Sequence, residues 1–202
     1  MAIKGTLSFS GAGVFVFFLF SIALAACSKP FLADNFESEY RPKTKTLAIA
    51  PFANLTIQPE GVKAGHAIRE AVYYQLGKQP EKYTVTIQDI AESYRLLYDA
   101  HIADSASTGI PAPELCRILG VDALMRGAVT KYEKGSPGSF TASVIRGRGS
   151  LVKVEIGVYD GDRGSLLWQH TVTERGGDVF GHPDELRDRV GKIIAEEFPF
   201  KK

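Results

Sequence analysis

LVKVEIGVYDGDRGSLLWQHTVTE, running from Leu151 to Glu174, is the most informative stretch of this chain for its architecture. Val152, Val154, Ile156 and Val158 alternate with Lys153, Glu155 and Gly157. A period of two with β-branched residues on one side is the signature of a half-buried antiparallel strand. Asp160-Gly161-Asp162-Arg163-Gly164 then supplies a turn, and Leu166 to Glu174 reads as the returning strand of a hairpin. Upstream of the hairpin, Ala123 to Glu133 (ALMRGAVTKYE) reads as another strand.

Further towards the N-terminus the period changes. Thr46 to Phe52 (TLAIAPF) is a short apolar run, a buried strand that stops at Pro51. Ala64, Ala67, Ile68, Ala71, Val72 and Leu76 fall on one helical face, leaving Lys63, Arg69, Glu70 and Gln75 for the other. Gly77 and Pro80 end that helix. Tyr83 to Ile87 suits a brief strand, and Asp89 an N-cap for a helix through Ile90, Tyr94, Leu97 and Tyr98. Ser105 to Pro113 reads as a small-residue loop, and Ala112 to Leu119 as a short helix closed by Gly120. At the other end, Leu186, Val190, Ile193, Ile194 and Phe198 form one side of a closing helix over Asp184 to Phe198. The predicted order is β-α-β-α-β-β-β-α: an α+β domain with a mixed sheet of four or five strands and helices packed on it.

The first residues are of another kind. Lys4 is the only charge before Lys29, and Ala12 to Ala26 is apolar except for Gly13 and Ser21. A basic start, a run of this length and small residues at its end make a secretory signal peptide. The run is short of the roughly 20 apolar residues that a membrane span requires. It ends Leu24-Ala25-Ala26-Cys27, a match to the lipobox of bacterial lipoproteins. That resemblance implies cleavage before Cys27 and acylation of Cys27, so that palmitate-like chains hold the protein on a membrane. Two or more chains anchor stably where one binds reversibly. Ser28, rather than an aspartate, follows Cys27, which by the sorting tendency of such lipoproteins points to the outer membrane. The expected organisation is a signal peptide over 1–26, a lipidated tether over 27–43 and one periplasmic domain over 44–202. The tether, at most about 50 Å long when extended, is interrupted by Phe31, Phe36 and Tyr40, either incidental aromatics or groups that dock on a neighbouring surface.

Composition narrows the function classes. The 202 residues are 45% hydrophobic and 23% charged, with a formal charge of +1. Such a chain is not disordered, collagen-like or stapled by disulfides. Cleavage removes Lys4 and no acidic residue, which leaves a formally neutral chain. Neutrality disfavours nucleic acid as a partner and leaves membrane attachment to the acyl chains. Of the two cysteines only Cys116 lies in the domain, so no intrachain disulfide is expected there.

Catalytic signatures are sparse. Gly147-Arg148-Gly149 precedes a strand and so lacks the strand-to-helix geometry of a phosphate loop. His66, His101, His170 and His182 have no ligand spacing, so no metal or cofactor is expected. Cys116 in ELCRIL reads as a core residue rather than a nucleophile. Asp160 and Asp162 read as turn residues rather than calcium ligands. Ser136 to Arg148 is the one long insert between strands, and is the expected partner-contacting element.

The lipobox, LAIAPFANLT (47–56), LGVDALMRGAVTKYE (119–133) and VYDGDRGSLLW (158–168) together resemble periplasmic lipoproteins related to the curli-secretion and Pel-polysaccharide export lipoproteins, and a further lipoprotein family used as a vaccine antigen. The resemblance covers roughly residues 45–198. It implies an α/β-layered fold and, for several members, rings or pores at the outer membrane. A membrane barrel needs strands of roughly nine to eleven residues with an apolar outer face. Ser136 to Arg148, with Arg146 and Arg148, offers no such face, so a non-spanning subunit is expected. The expected function is non-catalytic: an outer-membrane lipoprotein facing the periplasm, accessory or ring subunit of a secretion, polysaccharide-export or envelope-assembly machine, contacting envelope proteins and other copies of itself. The alternatives are a regulator of a peptidoglycan synthase and, from another class, an envelope hydrolase.

Overall fold

The computed structural model describes residues 29–133, 150–176 and 183–202. Lipobox residues Leu24 to Cys27, the insert Ser136 to Arg148, and His182 lie outside the described residues. In chain order the elements are β1 (Phe31–Leu32), a π-helical turn (Phe36–Tyr40) running into α1 (Arg41–Lys43), β2 (Thr46–Ile49), β3 (Ala53–Asn54), α2 (Glu60–Gly77), β4 (Thr86–Ile87), α3 (Ile90–Asp99), α4 (Asp104–Ser107), α5 (Ala112–Leu119), β5 (Ala123–Glu133), β6 (Leu151–Asp160), β7 (Leu166–Arg175) and α6 (Pro183–Glu197).

The strands make one mixed sheet in the order β1-β7-β6-β5-β2-β4, with β3 also on β5. The hairpin expected at Leu151 to Glu174 is its centre: Val158 faces Trp168, Ile156 faces His170 and Val154 faces Val172. β5 joins β6 antiparallel, whereas β2 and β3 join β5 in parallel. The sheet has seven strands, more than the expected four or five. The two additional ones, β1 and β3, are only two residues long and carry no periodicity that a sequence could reveal. Ser105 to Pro113 likewise holds part of a short helix, α4, rather than only a loop.

Helices cover both faces. On one, α2 and α6 enclose the main core, in which Val152, Val154, Ile156, Val158 and Trp168 meet Ile68, Val72, Leu76, Val190 and Ile194. Each such side chain contributes about 1.5–3 kcal/mol by leaving water. On the other face α3 and α5 cover only β2 and the start of β5, where Ala48, Ala50 and Leu124 meet Leu97, Leu115, Cys116 and Leu119. Gly120 and Gly127 are among the glycines that the geometry requires. Gly120 ends α5 with φ +68°, in the left-handed region. At Gly127 a Cβ would stand 2.4 Å from the Phe52 ring.

Residues 31–43, expected as a tether, are built into this body. β1 pairs with the edge of β7, Phe31 opposite Gln169 and Leu32 opposite Trp168. Phe36 is fully buried against Phe200, their ring centroids 4.9 Å apart, and Tyr40 is also buried. Glu39 reaches Arg163 at 3.3 Å. Phe36 and Tyr40, four apart, fall on one face of a helical turn, and that face completes the main core. Phe31 remains about half exposed.

Candidate functional site

Three places in the structure carry more than packing. The first is the start of β2. Asp122 follows the left-handed Gly120 and lies where α5 turns into β5. Its Oδ2 accepts from the Lys45 amide at 2.8 Å, the Thr46 amide at 2.9 Å and the Thr46 hydroxyl at 3.0 Å. Burial raises the Asp122 pKa, but these hydrogen bonds outweigh it and leave the carboxyl below its ordinary value. The residue thus clamps the segment that follows the docked residues 36–43 onto the central sheet.

The second is Arg69. The helical periodicity assigned it to the solvent face, and the structure corrects this: Arg69 is 1% exposed. Its Nε and Nη2 donate to the Ile49 carbonyl at 2.9 and 2.6 Å. The guanidinium lies 4.5 Å above the Tyr94 ring, and Nη1 has no hydrogen-bond partner among the described residues. Burial pulls its pKa down, while Tyr94, Asp104 and Glu70 pull it up. The cause lies in the sheet. β4 pairs with β2 only at Thr46 and Leu47, and the Gln88 amide takes the Leu47 carbonyl. The Ile49 carbonyl, two residues on, points to the same side, beyond the end of β4. Arg69 supplies the donor that a longer strand would have supplied.

The third is the adjoining cleft. Phe52, Leu55, Val62, His66, Asp104 and Thr108 line an open cavity of about 510 Å³. A neighbouring cavity of about 220 Å³ shares Pro51, Ala53 and Thr108 with it and has Arg126 in its wall. Arg126 donates Nη2 to the Ile110 carbonyl and Nη1 to the Thr108 carbonyl. His66 Nδ1 and the Tyr94 hydroxyl are 3.4 Å apart. Nucleophilic acyl transfer would need a nucleophile within reach of the imidazole and a third group orienting it, and among the described residues the side-chain partner of His66 is Tyr94 alone. The cleft presents small polar groups and an apolar rim.

The other sequence candidates are dispersed. Cys116 is buried, and burial, with Asp160 next, pushes its thiol up to about 12, so it stays protonated. Asp160 Oδ2 takes the Arg163 amide at 2.7 Å, the expected role in the turn, which Gly164 completes at φ +72°. His170 lies in the main core face beside Trp168, and desolvation lowers its pKa. His101 ends α3 at φ 56°. Among the described residues no three or more His, Cys, Asp or Glu are placed to hold a metal ion, and no helix is long and apolar enough to cross a membrane.

No protein-family model and no curated protein sequence matches the chain. Solved structures do. The lipoprotein GNA1162 from Neisseria meningitidis is 16% identical with a TM-score of 0.53, over 75% of this chain and 94% of that one. PelC from Paraburkholderia phytofirmans, solved as a dodecamer, is 18% identical with a TM-score of 0.48, over 77% of this chain and 88% of that one. The C-terminal domain of LpoB from Escherichia coli is 10% identical with a TM-score of 0.45, over 66% and 84%. The fold anticipated from LAIAPFANLT, LGVDALMRGAVTKYE and VYDGDRGSLLW is therefore shared with a bacterial lipoprotein, across nearly all of that lipoprotein's length.

Proposed function

We propose that this chain is a non-catalytic lipoprotein of the bacterial envelope, acylated at Cys27, held on the periplasmic face of the outer membrane, and serving as an accessory or ring subunit of a secretion, polysaccharide-export or envelope-assembly machine. One observation carries the reading. The segment following the lipobox is the first strand of the domain, so the anchor and the body are continuous. From Cys27 to Phe31 the chain reaches at most about 14 Å, far less than the expected tether of residues 27–43. A body held that closely works at the membrane surface, on partners that come to it. The same length counts against a regulator that must reach a synthase beyond the cell wall. The fold shared with a Neisseria lipoprotein supports the same reading.

The test is biochemical. Labelled palmitate is expected in the wild-type protein and absent from Cys27→Ala, with the labelled form sedimenting with outer-membrane fractions. Absence of label from the wild-type protein would remove the anchoring. Light scattering of the acylated protein in detergent tests the ring: a strict monomer at all concentrations is incompatible with it.

A further inference from the structure

The chain hides polar side chains and displays apolar ones in the turn between β3 and α2. Asn54 Oδ1 accepts from the Thr56 amide at 3.0 Å and from its hydroxyl at 2.7 Å, and Asn54 Nδ2 donates to the Gln58 carbonyl at 3.0 Å. Gly61 closes the turn from behind, where a Cβ would stand 2.2 Å from Asn54 Oδ1. Leu55, Ile57 and Val62 are left outside, 66%, 101% and 48% exposed, Leu55 and Val62 on the rim of the open cleft. Polar side chains at alternate positions are satisfied within the turn, so three aliphatic side chains are held in solvent by a braced backbone. Burying each would contribute about 1.5–3 kcal/mol, and inside this chain nothing covers them among the described residues.

The strand directions place this patch relative to the anchor. β3 runs parallel to β5, so the turn leaves the sheet at the end where β5 finishes. β7 also runs parallel to β5, through β6, and β1 is antiparallel to β7. The chain therefore enters β1 from that same end. The heights agree as well. Phe31 is opposite Gln169, Gln169 opposite Gly157, and Gly157 opposite Arg126. Asn54 is opposite Val129, three residues further along β5, or about 10 Å. Cys27 is four residues before Phe31, a stretch that spans at most about 14 Å. Across the sheet, β1 and β3 are separated by four strand spacings, about 19 Å.

We propose that Leu55, Ile57 and Val62 form a second membrane contact, seating on the lipid surface the same end of the domain from which the chain enters β1. The inference rests on acylation at Cys27 and adds an orientation to it. The entry to β1 and the patch are about 19 Å apart, so an anchor reaching the one and a contact at the other limit rocking of the body, where a single flexible anchor would leave it free to tumble. With near-neutral charge overall, the contact is apolar and insensitive to salt.

The experiment uses the full mature acylated protein in vesicles of phosphatidylethanolamine and phosphatidylglycerol, with and without bromine on the lipid chains. I57W and L55W are the reporters, read as the difference from the unsubstituted protein, whose Trp168 is buried. Y74W is the control: Tyr74 is 61% exposed and twelve residues after Val62 on α2, about 18 Å further from the patch. Emission from I57W and L55W is expected to fall in brominated vesicles, and emission from Y74W to stay unchanged. Equal quenching at all three positions, or none, overturns the proposal. A blue shift at I57W without bromine quenching also overturns it and assigns the patch to a second copy or another protein. Palmitate labelling of the same preparations separates the cases: labelled protein without quenching refutes the seating alone, whereas unlabelled protein refutes the anchoring on which it rests.

Discussion

Arg69 shows how one residue can do the work of a missing strand. A β-branched or aliphatic residue at this position would fit the buried surroundings but leave the Ile49 carbonyl without the donor that Arg69 provides. An orphaned buried acceptor costs about 1–3 kcal/mol. Arg69→Met, which keeps the apolar stem of the side chain and removes the donors, is therefore expected to lose stability of that order in urea unfolding. Arg69→Lys is expected to recover only part of it, since one ammonium cannot reproduce the flat stacking on Tyr94. The sequence could not announce this residue. Ile68 and Val72 mark the core-facing stripe of α2, and Arg69 is adjacent to it in a position that a two-layer protein would expose. It is buried because a second layer, α3 with Tyr94, covers the other side, and that depends on where β4 stops.

Asp122 carries a pH dependence at the same scale. Its folded pKa is lowered, so its contribution to stability is present above the unfolded value and is lost as pH falls through the folded one. Wild type and Asp122→Ala are expected to differ most at neutral pH. The gap narrows below about pH 4, where the free carboxyl takes up its proton. A gap that stays constant from pH 7 to pH 3 would show that the hydrogen bonds to Lys45 and Thr46 do not depend on the charge.

Among the elements, the segment from Phe31 to Lys43 departs furthest from its sequence. Its composition of mixed charges with proline reads as linker, and the charges are indeed outside: Arg41 pairs with Glu37 at 2.6 Å and Lys43 with Glu39 at 3.6 Å along the turn. What docks it is two aromatics, Phe36 and Tyr40, too few to register as a periodicity. The long elements were legible for the opposite reason. β5, β6, β7, α2 and α6 each repeat their pattern over ten residues or more, whereas β1, β3 and α4 are two to four residues long and exist because neighbours hold them. The cleft was illegible too, since the residues from 51 to 55 are joined in its wall by Val62, His66, Asp104, Ser105 and Thr108, which no motif links to them. Docking has a measurable consequence. Phe36→Ala is expected to cost about 3–5 kcal/mol, with Phe31→Ala, half exposed, costing far less. Equal and small effects from both would return residues 31–43 to the status of a tether.

At the scale of the whole molecule, the two ends of the described chain meet in one aromatic cluster. Phe36 lies against Phe200, Phe200 against Phe198 at 5.5 Å, and Phe198 against Tyr83 at 5.5 Å and Trp168 at 6.3 Å. The Thr84 amide takes the Phe200 carbonyl, and the Lys202 amide takes that of Lys82. The turn that follows β1, the last residues of the chain and the central Trp168 thus share one body of packing, and a pull on the proposed anchor at Cys27 would be borne by it. Aromatic pairs are worth about 0.5–1.5 kcal/mol beyond the area they bury. A double-mutant cycle on Phe36→Leu and Phe200→Leu, measured by chemical unfolding, is therefore expected to give a coupling of about that size, and one cooperative transition in every variant. Strict additivity, or an early transition for the N-terminal segment alone, would mean that residues 31–43 detach independently. The anchor proposed at Cys27 would then hold the body through a strap longer than about 14 Å, roughly the reach of a free tether.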